Sequence, residues 1–188
     1  MNAPVRLKTF SNAEFERMAR SGGFGDARVE LRRGMIAEMS PQYVPYANVK
    51  MKLLAALAEA VRVAALPWEV WSEVSVTFGD GFEPLPDIVV WDPSLAPADL
   101  DGPIPASAAK LIVEVSDTTL ADDLGDKLED YAKGGLVEYW VADVQGRFIL
   151  RHAGTAASGY ARREPARFGD TIAALEIPDL VVDTQSLS

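Results

Sequence analysis

The sequence predicts an α/β fold: a mixed β-sheet flanked by helices, preceded by an N-terminal helix and a β-hairpin. Three observations carry this. Pro86–Trp91 and Leu111–Val115 are too apolar for a half-exposed sheet and read as strands buried on both faces. Tyr46 to about Ala65 repeats apolar residues at helical spacing. Strands occur both between helices and as hairpins around glycines, the pattern of a mixed sheet with helices on its faces. The 188 residues suit one domain, residues 1–188, since such a chain buries roughly 70% of the surface its unfolded form exposes.

Each element has its own local cause. Ser11-Asn12-Ala13-Glu14 is a capping-box pattern that starts a short helix to about Arg20, ended by Gly22, Gly23 and Gly25. Val29-Glu30-Leu31 and Met35–Met39, joined by Arg32-Arg33-Gly34, form the hairpin. Ser40 to Pro45 is a loop. In the long helix, Val49, Leu53, Leu54, Leu57 and Val61 make the apolar stripe, and Pro67 stops it. Trp68–Phe78 alternates, with Val70, Val74, Val76 and Phe78 on one side, as one strand with one buried face. Gly79-Asp80-Gly81 turns the chain toward the strand entered at Asp87. Asp92–Ala109, with Pro93, Pro97, Pro103 and Pro105, is a loop long enough to be a flap over a site. After the Leu111–Val115 strand, Ala121–Lys133 reads as a helix closed by Gly134-Gly135. Val137–Val141 and Arg147–His152 pair as strands around Gln145-Gly146. From Tyr160 onward, short strands are separated by Pro165, Gly169 and Pro178.

Composition narrows the chemistry. The chain has no cysteine, which excludes disulfides, thiolate zinc sites and cysteine nucleophiles and permits a reducing, cytoplasmic location. Its one histidine, His152, cannot build a multi-histidine metal site and reads as a surface or edge-strand residue. No apolar stretch is long enough to span a bilayer, and Met1–Phe10 has no signal-peptide core. A net charge of −10 weakens a nucleic-acid partner, because such binders usually carry a basic footprint. Local patches are still open: Arg28, Arg32 and Arg33 form one cluster, and Arg162, Arg163 and Arg167 another. Solvated hairpin edges explain both at least as well.

The two buried strands each hold a carboxylate. Asp87 stands at the entry of the first and Glu114 lies inside the second. A charge there costs several kcal/mol unless a cation pairs with it. The next helix supplies one candidate. Lys127 shares its inward face with Leu124, Leu128 and Tyr131. A carboxylate pair beside one lysine is a toolkit for phosphodiester hydrolysis. The carboxylates hold Mg²⁺, the ion polarises the phosphate and acidifies a water, and the lysine orients that water or stabilises developing charge.

These residues resemble a known family. Pro86-Asp87, Glu114-Val115-Ser116 and Lys127 on the following helix are similar to the PD-(D/E)XK restriction-endonuclease-like superfamily. Ser116 stands where the motif lysine would close the tripeptide, and that displacement resembles the Uma-type restriction-endonuclease branch of bacteria. Further matches are Glu30-Leu31 before Gly34, Ile112–Ser116, Asp123 four residues before Lys127, Tyr131-Ala132, and Gly135–Trp140 leading into Asp143. They span the chain from about Phe10 to the end. The resemblance implies a restriction-endonuclease-like mixed sheet with an active site at one sheet edge. It implies Asp87, Glu114 and the Val115 carbonyl as ligands of Mg²⁺ (Mn²⁺ as substitute), Lys127 as the catalytic lysine, and Glu30 as a second ligand or water positioner. The implied substrate is nucleic acid, DNA before RNA. Relatives commonly carry histidine at the start of the long helix, where this chain has Tyr46.

Two other readings stand beside this one. Asp87, Glu114 and Lys127 can be a metal-free structural ion pair. The fold can also serve as a non-catalytic binding or assembly module, which the net charge favours, and a homodimer is compatible with either. Glu30 is as easily an exposed hairpin carboxylate. Asp123 is expected to support the helix start, and Tyr131, Tyr139 and Trp140 to fill the core around the site. Asp122, Asp126, Glu129 and Asp130 read as a solvated helix face.

Overall fold

A computed structural model describes residues 7–156 and 159–188. Residues 1–6, part of the stretch expected to lack a signal-peptide core, lie outside the described residues. The chain runs α1 (Asn12–Arg20), β1 (Val29–Arg32), β2 (Met35–Glu38), α2 (Val44–Val63), β3 (Glu69–Trp71), β4 (Val76–Thr77), β5 (Ile88–Trp91), β6 (Ile104–Pro105) and β7 (Ala109–Ser116). It continues through α3 (Leu120–Asp123), α4 (Asp126–Lys133), β8 (Glu138–Asp143), β9 (Phe148–Ala156), β10 (Gly159–Arg167), β11 (Thr171–Ala173) and β12 (Val181–Asp183). The main sheet has the order β10-β9-β8-β7-β5-β3. Only β7 and β8 are parallel neighbours in it, joined by the α3–α4 crossover. The expected mixed sheet with an N-terminal helix and hairpin is therefore present.

The central strands β5, β7 and β8 are buried on both faces, as their apolar runs require. On one face α2 packs with Val49, Leu53, Leu57 and Val61 against Ile88, Val90, Val113 and Trp140, beside Ile172 and Val182 of the C-terminal β11–β12 pair. On the other face, Tyr131 of α4 and Phe82 join Val89, Ile112 and Tyr139. Asp87 and Glu114 have the strand parity of Val89 and Ile112, so they point toward the α4 face. α1 starts as its sequence predicts: Ser11 and Glu14 form a reciprocal capping box.

Several expectations need correction. Trp68–Phe78 is not one strand. Glu73 adopts a left-handed φ of 58°, which breaks the pairing, so Val70 packs on the α2 face and Val76 on the other. Ala121–Lys133 is not one helix either. It breaks at Gly125, where an added Cβ would lie 2.7 Å from the Ala121 carbonyl oxygen. The proline-rich stretch 92–109 is no flap. Asp92 caps a 3-10 turn and β6 pairs in parallel with β4. Pro165 does not interrupt a strand. It sits within β10, the open edge of the sheet, where a missing N–H is tolerated. His152 is buried in β9 between β8 and β10, not on the surface, and burial lowers its pKa to about 4.

Candidate active site

β5 and β7 place the two carboxylates. They pair antiparallel with Ile88 opposite Val113. One step further along that register, Asp87 stands opposite Glu114 on the same face. Directly opposed like charges repel. One more step sets Pro86 opposite Val115. Proline has no N–H, so the Val115 carbonyl lacks its usual sheet donor from that side. The Val115 N–H turns instead to Asp87 and donates to Oδ2 at 2.7 Å.

α4 brings the cation. Lys127 Nζ lies 3.1 Å from Glu114 Oε1, 3.6 Å from Glu30 Oε2 and 3.9 Å from Asp123 Oδ1. The Tyr131 hydroxyl donates to the same Glu114 oxygen at 2.8 Å. Asp87, Glu114 and Lys127 are 2%, 2% and 5% exposed, so the charges have left bulk water. Burial raises the Glu114 pKa to about 8. Lys127 pulls it down, while Asp87, Asp123 and Glu30 push it further up. Burial raises Asp87 as well, against the pull of Tyr46, the Val115 N–H, Lys127 and Lys50. For Lys127, burial disfavours the ammonium, but Glu114, Glu30 and Asp123 more than offset it and hold the pKa above the usual lysine value. Lys127 is therefore a cation and not a free base.

These groups form the floor of a cavity of about 430 Å³. One wall runs from Ala37 to Tyr43, and Asp117–Thr119 with Asp122 and Asp123 form the other. Residues 92–109 contribute nothing to it. The structure thus gathers all four predicted side chains, Asp87, Glu114, Lys127 and Glu30, at one place. Glu30 is buried at the lysine and is not an exposed hairpin carboxylate. Asp123 is more than a helix support: it accepts from the Ser116 and Thr119 hydroxyls, each at 2.6 Å. Nor is the α3–α4 acidic row simply solvated. Asp122 pairs with Arg32 at 2.6 Å, and buried Asp130 pairs with Arg33 at 3.0 Å. Those arginines, together with Arg28 at 2.9 Å from Glu73, are spent on internal ion pairs and make no basic patch.

Among the described residues, no group of three or more Asp, Glu, His or Cys side chains is arranged to hold a metal ion by itself. Asp87, Glu114 and the Val115 carbonyl would offer two carboxylates and one backbone carbonyl. That suits Mg²⁺, which takes one or two carboxylates and fills its shell with waters and substrate phosphates.

A family model described as "Uma2: Putative restriction endonuclease" matches residues 13–185. The chain belongs to that family. The fold is shared with a crystal structure of a putative nuclease belonging to DUF820 from Anabaena variabilis. That structure has a TM-score of 0.63 and 16% identity, over 85% of this chain and 88% of the other. No curated protein matches the sequence.

One part of the Uma2-family site was not anticipated from sequence. The Tyr46 hydroxyl donates to Asp87 Oδ1, completing the partners of that carboxylate. Behind it, buried Lys50 donates to Gln42 Oε1 at 2.6 Å and pairs with Glu73. Gln42 in turn reaches the Tyr46 hydroxyl at 3.5 Å. A signal did exist. Lys50 lies on the inward stripe with Val49, Leu53 and Leu57, as Lys127 does on its own helix.

Proposed function

We propose that the protein is a metal-dependent nuclease that hydrolyses phosphodiester bonds of nucleic acid, DNA in the first instance. The observation that carries this is the pairing of Asp87 and Glu114 across the β5–β7 register, beside a lysine held as a cation at a cavity floor. Family membership supports a nuclease. Asp87, Glu114 and the Val115 carbonyl would hold Mg²⁺ or Mn²⁺, which supplies charge to polarise the phosphate and acidify a water. Lys127 donates hydrogen bonds toward the phosphoryl oxygens as negative charge grows on them. Glu30 and Asp123 keep it charged and aimed. The reaction adds water across the ester. The water oxygen bonds to phosphorus, one ester P–O bond breaks, and the released proton passes through solvent to the leaving oxygen.

Lys127 could instead be the final counter-ion of the two carboxylates, in a fold that only binds. The net charge of −10 favours that second reading. Cleavage of plasmid and oligonucleotide DNA and RNA with Mg²⁺ and Mn²⁺ separates the two. Asp87→Ala and Lys127→Ala should each lower the rate at least about 100-fold. Circular dichroism checks that the variants stay folded, and Asp87→Asn serves if Asp87→Ala does not. Cleavage that persists in both would place the chemistry elsewhere.

A further inference from the structure

The reacting groups lie deep. Asp87 and Glu114 are 2% exposed at the floor of a cavity of about 430 Å³, within the roughly 300–1,000 Å³ that encloses one small-molecule-sized unit. A scissile phosphate must travel down to that floor. In a duplex each phosphate is flanked by stacked neighbours on a stiff cylinder, so the helix would stop at the rim. A single strand can unstack and splay one nucleotide into a recess.

Charge points the same way. Duplex DNA carries one negative charge per roughly 1.7 Å of axis, and its binders match that with lysine and arginine. Here the lining cations are already engaged: Arg32 with Asp122, Lys127 with Glu114, and Arg28 with Glu73. Glu38 and Asp117 add further acid to the walls. Among the described residues that line the cavity, these three are the only lysines and arginines.

The rim offers a different attraction. Tyr43, at the start of α2, is 71% exposed and lines the cavity. An aromatic face holds an unstacked base without needing positive charge. We propose that the site takes single-stranded nucleic acid, with one base stacked on Tyr43 and its phosphodiester lowered to the carboxylates, and that it excludes the duplex. This rests on the nuclease reading but can fail separately from it.

The test uses the full chain and one labelled oligonucleotide, single-stranded and annealed to its complement. Binding is followed by fluorescence anisotropy with Ca²⁺, and cleavage with Mn²⁺. The single strand should bind at least tenfold more tightly than the duplex and be cleaved with at least tenfold higher kcat/KM. Tyr43→Ala should weaken single-strand binding about tenfold and raise KM more than it lowers kcat, and Tyr43→Trp should restore both. Equal or tighter duplex binding overturns the proposal, as does wild-type affinity in Tyr43→Ala, or no binding of either form. Tight single-strand binding without cleavage would sustain it and sink the nuclease reading.

Discussion

Burial and the carboxylates of Asp87, Asp123 and Glu30 raise the Glu114 pKa against the pull of Lys127. Its folded pKa of about 8 lies above the ordinary 4.5. The fold therefore binds a proton that the unfolded chain releases. The resulting stability is complete below pH 4.5 and is lost as pH rises through 8. Glu83, raised to about 7, acts with the same sign, while His152, lowered to about 4, acts with the opposite sign below pH 6.5. Both remain in Glu114→Gln, so comparing that variant with the parent reports on the Glu114–Asp87 pair, whose carboxyls are both raised. We expect the melting temperature of the metal-free parent to fall more steeply between pH 6.5 and 8 than that of Glu114→Gln. Identical slopes would remove Glu114 as the titrating group. Tyr46→Phe strips Asp87 of one donor. Calorimetric titration should then find Mn²⁺ bound about 10–100-fold more weakly, as when a supporting hydrogen bond behind a ligand is lost. The two carboxylates and Lys127 were legible in the sequence because each violates an apolar pattern. The reach of Tyr46 was not, because it depends on how α2 lies against the end of β5.

At the scale of elements, the breaks were harder to foresee than the elements. The Trp68–Phe78 alternation is intact as a pattern. Its interruption at Glu73 is held by Lys50 and Arg28, which are distant in sequence. Gly125 is the one residue in Ala121–Lys133 that hints at the break between α3 and α4. That kink lets Asp123 face Ser116 while Lys127 faces Glu114. Gly125→Ala tests it by sign. In a continuous helix the change would stabilise by about 1 kcal/mol. At this kink the new Cβ meets the Ala121 carbonyl, and we expect a loss of about 1–3 kcal/mol in urea unfolding. The α2 stripe and the β5, β7 and β8 runs were legible because single-period apolar patterns survive unaltered into the core.

For the whole molecule, a net charge of −10 opposes any polyanion. With the lining cations already paired, divalent ions should be needed for nucleic-acid binding as well as for cleavage. EDTA should abolish oligonucleotide binding, and Ca²⁺ should restore it. The slope of log affinity against log salt should be no steeper than about −2, since few phosphates meet a free cation. A slope of −5 or steeper would reveal a basic surface elsewhere. Among the described residues, no helix is long and apolar enough to cross a membrane. The sheet has one more consequence, at its margin. Among the described residues, β10 is an edge strand with no strand beyond it, and Arg162, Arg163, Pro165 and Arg167 stand along it. Charge and a missing N–H make that edge a poor template for a foreign strand. Replacing Arg163 and Pro165 by valine should bring concentration-dependent light scattering while the melting temperature holds. That margin is thus guarded by one proline and three arginines, with β9 and β8 standing between them and the carboxylates.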